Sequence, residues 1–163
     1  MKQVDTVIGC DGVVIIPTYN ERENVENIIR AVFALEKIFH ILIIDDGSPD
    51  GTAEIVKRLK DEFPERLHLL ERKGKQGLGT AYITGFKWAV LRGYDYIFEM
   101  DADFSHNPND LLKLWSACAV KGADMAIGSR YITGVNVVNW PMGRVIMSYY
   151  ASKYVRLITG MKI

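Results

Sequence analysis

The sequence is short of several things that mark large protein classes, and each shortage narrows the reading. Only two cysteines, Cys10 and Cys118, occur in 163 residues. They lie far apart without CxxC or Cys/His spacing, so neither a disulfide framework nor a zinc site is expected, and a reducing cytoplasm fits best. Net charge is also lacking. Twenty basic residues balance twenty acidic ones, which removes the electrostatic footprint of a nucleic-acid binder and leaves any charged ligand to local clusters. No apolar run reaches the length of a membrane span. Lys2 precedes a short Val7-Ile8-Gly9-Cys10 run, but Asp5 and Asp11 interrupt it, so no signal peptide is expected. No dinucleotide fingerprint follows the first apolar run and no Walker-type phosphate loop occurs, so the usual glycine-rich nucleotide sites are excluded. Repeats and low-complexity stretches are absent.

What is present describes a folded chain. A hydrophobic share of 48% with 25% charged residues matches soluble globular proteins, and the length predicts one domain over 1–163, with residues 1–11 as a flexible extension. Short β-branched runs alternate with longer amphipathic segments, the pattern of a mostly parallel sheet covered by helices. Strands are expected at Gly12–Pro17, Ile41–Ile44, Leu67–Leu70, Tyr96–Met100 and Met125–Ile127. Val25, Ile28, Ile29, Val32 and Phe33 mark one helix, and Ile55, Val56 and Leu59 a second whose start is signalled by Asp50 and Thr52. Further helices are expected over Thr80–Arg92, Pro108–Val120 and Met142–Ile158. The fold class is therefore α/β.

In such a sheet ligands bind beyond the carboxyl ends of the strands, so the loops that follow strands are where chemistry belongs. Four stand out: Thr18-Tyr19-Asn20-Glu21, Asp45-Asp46-Gly47-Ser48, Asp101-Ala102-Asp103 and Ser129-Arg130-Tyr131. Three carry carboxylates, which repel one another unless a cation or a ligand's hydrogen-bond donors sit between them. Asp101 and Asp103, two apart in extended chain, project to one side, and hard oxygen ligands at a strand end suit Mg²⁺ or Mn²⁺ on a diphosphate. A turn cap before Asn107-Pro108 explains the same two acids, and a surface turn explains His106. Asp45 or Asp46 can accept from a nucleobase or ribose, while Tyr19 can stack on a base with Glu21 beside it. Asp-Gly turn chemistry accounts for Gly47, Asp50 and Gly51 without a ligand, though not for two acids at a strand tip. Arg144 and Ser148, four apart on the last helix, share a face that with Arg130 can hold a phosphate or can simply be solvated. The apolar side of that helix, with Trp140, Met142, Ile146, Tyr149 and Tyr150, suits either a core or a membrane interface.

Taken in order, Ile16-Pro17-Thr18-Tyr19-Asn20-Glu21, Asp45-Asp46-Gly47-Ser48-Pro49-Asp50-Gly51-Thr52, Met100-Asp101-Ala102-Asp103 and Gly128-Ser129-Arg130-Tyr131 resemble the motifs of family-2 glycosyltransferases. Asp103-Phe104-Ser105-His106-Asn107-Pro108 and Trp140-Pro141 with Arg144 and Ser148 look most like the dolichol-phosphate and other polyprenyl-phosphate mannosyltransferases. The resemblance implies a nucleotide-diphospho-sugar transferase (GT-A type) fold, with Pro17, Tyr19, Glu21, Ile44, Asp46, Asp101 and Ala102 binding the nucleotide. It implies that Asp101 and Asp103, with Ser105 through a water, hold Mg²⁺ or Mn²⁺. Arg130, Arg144 and Ser148 would take the acceptor phosphate, and Asp103 and Arg130 would be catalytic. It further implies mannose transfer from GDP-mannose to a polyprenyl (dolichyl) phosphate with inversion, no nucleic acid, and a cytoplasmic enzyme peripheral at the cytoplasmic face of a membrane. Family members continue beyond the last helix, so a truncated domain of weak or no activity is expected. A phosphate monoester is already largely anionic near pH 7, so no carboxylate base is assigned. UDP-glucose as donor, a glycan hydroxyl as acceptor, a sugar-nucleotide binder without turnover and a receiver-like phospho-accepting module remain as alternatives.

Overall fold

The computed structural model describes residues 11–129 and 141–160, apart from the side chains of Arg144 and Ser152. The chain divides into two compact units, Met1–Ser116 and Ala117–Ile163.

The first unit is built on β1 (Gly12–Thr18), β2 (His40–Asp45), β3 (Leu67–Glu71) and β4 (Tyr96–Glu99), joined by α1 (Val25–Phe33), α2 (Thr52–Glu62) and α3 (Leu78–Leu91), with α4 (Asp110–Ala119) following β4. All strand pairs are parallel and their order is β3-β2-β1-β4. The two inner strands are continuous apolar runs because both of their faces are covered. Val14, Ile16, Ile41 and Ile43 point into one core with Ile28, Ile29 and Val32 of α1, Val56 and Leu59 of α2 and Leu111 of α4. Their alternates, Val13, Ile15, Leu42 and Ile44, point into a second core against Ala81 and Ala89 of α3. Gly85 lets α3 lie close to the sheet, since a Cβ there would stand 2.8 Å from two methyls of Ile15.

The connection from β3 through α3 to β4 carries the chain across the sheet, so β1 is flanked by β2 on one side and β4 on the other. That reversal of strand order opens a crevice at the carboxyl ends of β1 and β4. It also excludes the receiver-like alternative, whose order places the third strand, not the fourth, beside the first.

Three expectations are corrected. Met125–Ile127 is irregular chain, with no strand paired to it among the described residues. Met125 and Ile127 remain 70% and 58% exposed, so the run buries neither face. Asp11 is not part of a loose extension: its carbonyl accepts from the N–H groups of Asp95 and Tyr96, and its carboxylate accepts from the Trp115 indole at 3.1 Å and pairs with Lys37 at 2.6 Å. Residues 1–10 lie outside the described residues. The third helix begins at Leu78 rather than Thr80.

In the second unit, α5 (Met142–Thr159) ends at Gly160, whose φ of 70° lets its N–H close on the Arg156 carbonyl. Lys153 lies over the Tyr149 ring at 4.7 Å. No helix among the described residues is long and apolar enough to cross a membrane.

Candidate functional site

The loops after β1, β2, β3 and β4 meet at the strand carboxyl ends. Between them lies a cleft of about 220 Å³ lined by Pro17, Thr18, Tyr19, Glu21, Asp46, Lys75, Gly77, Leu78, Ala81, Asp101 and Asp103. A larger groove of about 410 Å³ between Arg22 and Arg58 offers less converging chemistry. Asp50 there caps the first turn of α2 through the Thr52 N–H (3.0 Å), and Arg58 is engaged by Glu26 (3.1 Å).

The loop after β1 is fixed by groups from the β2–α2 loop. The Asn20 N–H donates to Ser48 Oγ (3.0 Å) and the Glu21 N–H to Thr52 Oγ1 (3.0 Å), while the Glu21 carboxylate accepts from the Asn24 amide (3.0 Å). Asn20 adopts a φ of 60°, and Phe104, next after Asp103, a φ of 58°. Asparagine tolerates this left-handed region, whereas for a bulky residue such as Phe104 it is strained. Tyr19 is left half-exposed, with the Lys75 ammonium 4.8 Å above its ring.

At the tip of β2 the two acids have separate roles. Asp45 accepts from Thr18 Oγ1 (2.9 Å), the Ser48 N–H (2.9 Å) and Ser48 Oγ (2.6 Å), and is buried. It holds the turn together. Asp46 accepts from Arg72 Nε (2.5 Å) and from the Gln76 N–H (3.1 Å), and keeps an edge on the cleft. Arg72 reaches on to Thr80 Oγ1 (2.8 Å) and the Gly77 carbonyl (3.2 Å), tying the β3–α3 loop to the β2 tip. Gly47, at a φ of 71°, permits this, because a Cβ there would lie 3.0 Å from the Gly74 nitrogen.

At the end of β4, Asp101 and Asp103 both open on the cleft. Asp101 receives a long bond from the Tyr82 hydroxyl (3.4 Å), and its N–H donates to His106 Nδ1 (3.3 Å), which makes His106 a support of this loop. Burial, and then the negative charge of Asp101, pushes the Tyr82 phenol well above its ordinary range, so it stays a donor. The Ser105 N–H donates to Asp103 Oδ1 (2.9 Å) and holds that carboxyl below its usual value, with the Ser105 hydroxyl and His106 adding to the effect. No cluster of three His, Cys, Asp or Glu side chains suited to a metal occurs among the described residues. Two carboxylates opening on one cleft still fit an octahedral Mg²⁺ or Mn²⁺, which takes one or two protein oxygens and completes its shell with phosphate and water.

Of the sequence-derived site residues, Pro17, Tyr19, Glu21, Asp46, Asp101 and Asp103 are brought together in the lining. Ile44 and Ala102 are buried behind it, Ile44 within the core packed on α3, so their side chains do not face the cleft. Ser105 also lies outside the lining and serves Asp103. Arg130 and the Arg144 side chain lie outside the described residues, and Ser148 is on α5 in the second unit. Sequence reasoning missed Arg72, Lys75 and Tyr82. The first two belong to a fifth strand-end loop, Arg72-Lys73-Gly74-Lys75-Gln76-Gly77, whose basic and glycine content was the available signal.

The sequence model of glycosyl transferase family 2 matches residues 13–161. The polyprenol monophosphomannose synthase of Mycolicibacterium smegmatis is 49% identical over 150 residues, covering 92% of this chain and 56% of that protein. The undecaprenyl-phosphate mannosyltransferase of Micrococcus luteus is 43% identical over 149 residues, covering 91% of this chain and 60% of that protein. The chain thus spans little more than half the length of these relatives. Among solved structures, S. aureus TarS 1-349 superimposes with a TM-score of 0.63 at 20% identity, over 81% of this chain and 38% of that one, a likeness of fold.

Proposed function

The chain belongs to glycosyl transferase family 2, and on that premise we propose that it carries the donor half of a polyprenyl-phosphate mannosyltransferase. The fold is the GT-A type. The observation that carries the proposal is the convergence of Tyr19, Glu21, Asp46, Asp101 and Asp103 on one cleft at the point where strand order reverses. The names of the two relatives supply the substrates: a mannosyl donor, which we take as GDP-mannose, and a polyprenyl phosphate acceptor.

In this reading the base stacks on the half-exposed Tyr19 ring and Glu21 accepts a hydrogen bond beside it. Asp46, braced by Arg72 and Gln76, forms the ribose-side wall, with Ile44 and Ala102 shaping it from behind. Asp101 and Asp103 hold Mg²⁺ or Mn²⁺. When bound, the divalent cation neutralises charge on the departing diphosphate. The acceptor's phosphate has a second pKa near about 6 and is already a nucleophile at neutral pH. Attack on the anomeric carbon forms the sugar–phosphate bond as the bond to the nucleoside diphosphate breaks, and one displacement inverts the configuration. Catalysis is then proximity and electrostatics, with Arg130, Arg144 and Ser148 assigned to the acceptor phosphate.

A lipid acceptor calls for contact with a membrane surface, at its cytoplasmic face. The sequence after Asp124 contains no acidic residue, and α5 exposes Met142, Met147, Tyr150, Tyr154, Leu157 and Ile158 beside Lys153 and Arg156. That combination suits a helix lying on anionic lipid. The proposal is tested by offering the chain GDP-mannose or UDP-glucose with either a polyprenyl phosphate or free sugars. Because the chain spans little more than half of its relatives' length, turnover is expected to be low. The transfer that does occur is expected to give the mannosyl-phospho-lipid, and glucosyl transfer or a free-sugar product would overturn the assignment.

A further inference from the structure

Four carboxylates, from Glu21, Asp46, Asp101 and Asp103, open on the cleft, and Lys75 is the one cationic side chain among the described residues of its lining. Arg72 answers Asp46, and a divalent cation on Asp101 and Asp103 is offset by those same two acids. The negative charge of a donor diphosphate is then unanswered within this lining except by Lys75.

Lys75 is exposed, but its loop is anchored on both sides. The Arg72 N–H donates to the Asp45 carbonyl (2.7 Å), the Gln76 N–H donates to Asp46 Oδ2 (3.1 Å), and the Arg72 guanidinium bridges Asp46, Thr80 and Gly77. The backbone therefore delivers the ammonium to the cleft mouth, where it rests 4.8 Å from the centre of the Tyr19 ring. A cation–π contact at an exposed site is weak, whereas a lysine ammonium on a flexible stem is a strong point-charge partner for phosphate.

We infer that Lys75 binds the diphosphate of the nucleotide donor, moving off the Tyr19 ring and leaving its face to the base. The inference rests on the donor reading above and adds a residue that the strand-end acids do not supply.

The test is calorimetric titration of the whole chain, in Mn²⁺, with GDP and UDP and then with the nucleoside of whichever diphosphate binds. Wild type, Lys75→Met and Lys75→Arg are compared, with a thermal melt as the folding control. Lys75→Met is expected to weaken diphosphate binding about tenfold, to leave nucleoside binding unchanged and to reduce the salt dependence. Lys75→Arg is expected to stay within about threefold of wild type, since it keeps the charge. Undiminished diphosphate binding in Lys75→Met would overturn the inference alone. So would an equal loss for diphosphate and nucleoside, which would make Lys75 only a prop for Tyr19. A wild-type chain that binds neither GDP nor UDP would overturn the donor reading and this inference together.

Discussion

Asp45 and Asp46 at the tip of β2 are nearly inaccessible and accept five hydrogen bonds between them from Thr18, Ser48, Arg72 and Gln76. Asp101, at the tip of β4, is 42% exposed and receives one side-chain bond, the long one from Tyr82. Asp103 is held chiefly by its own loop, through Ser105. Four acids at strand tips look alike in sequence, yet one pair is largely engaged in bonds inside the fold, Asp46 keeping only an edge on the cleft, and the other pair opens on it. The inner pair fixes the geometry of the loops, and the outer pair leaves carboxylate oxygens open to a cation or a donor-rich ligand.

Breaking the inner pair should cost stability first. Arg72→Met removes the partner of a buried ion pair, both side chains being 9% exposed, and is expected to destabilise the chain by about 3 kcal/mol in urea unfolding, because Asp46 is left charged with one donor. Asp45→Asn replaces an acceptor of three bonds with a side chain that cannot accept them all, and a loss of about 2 kcal/mol is expected in the same measurement. Gly47→Ala places a Cβ 3.0 Å from the Gly74 nitrogen at a φ of 71°. A cost of about 1–2 kcal/mol is expected, with Lys75 and Gly77 drawn away from the cleft, seen as weaker nucleotide binding by the molecules that remain folded.

Acidification should separate scaffold from site with the smallest effect. Ser105 keeps Asp103 below the ordinary carboxylate range, so this carboxyl should stay ionised from pH 7 to 5. His68 behaves differently: burial, and then the nearby His40, pushes its pKa down to about 4. The unfolded chain takes up that proton near about 6.5. The unfolded state therefore binds more protons between these values, and stability should fall as pH drops through that window. Partial exposure limits the loss to about 1 kcal/mol, and His68→Gln should flatten the urea-midpoint profile across pH 4 to 6.5.

How much of this was legible in sequence follows from range. The apolar runs at Val13–Ile16 and Ile41–Ile44 announced strands buried on both faces, and Asp50 with Thr52 announced the start of α2. Those signals are local. Met125–Ile127 carried the same apolar signal and formed no strand, because pairing and cover are not properties of three residues. The site was legible in Tyr19, Glu21, Asp101 and Asp103, which sit at strand ends. The division of labour at Asp45 and Asp46 was not, since it depends on Thr18, 27 residues before Asp45, and Arg72, 26 residues after Asp46. Lys75 was hidden for the same reason: a basic glycine-containing loop gives no sign of the strand tip it will close upon.

The central claim is that the outer pair is a metal-dependent nucleotide site carried by this chain. Titration calorimetry with GDP and UDP, each with and without Mn²⁺, for wild type and Asp103→Ala, tests it most directly. Binding of GDP that requires Mn²⁺ and disappears in Asp103→Ala, with the melting temperature of the variant unchanged, is the predicted result. Binding that survives removal of both the metal and the Asp103 carboxylate would contradict it.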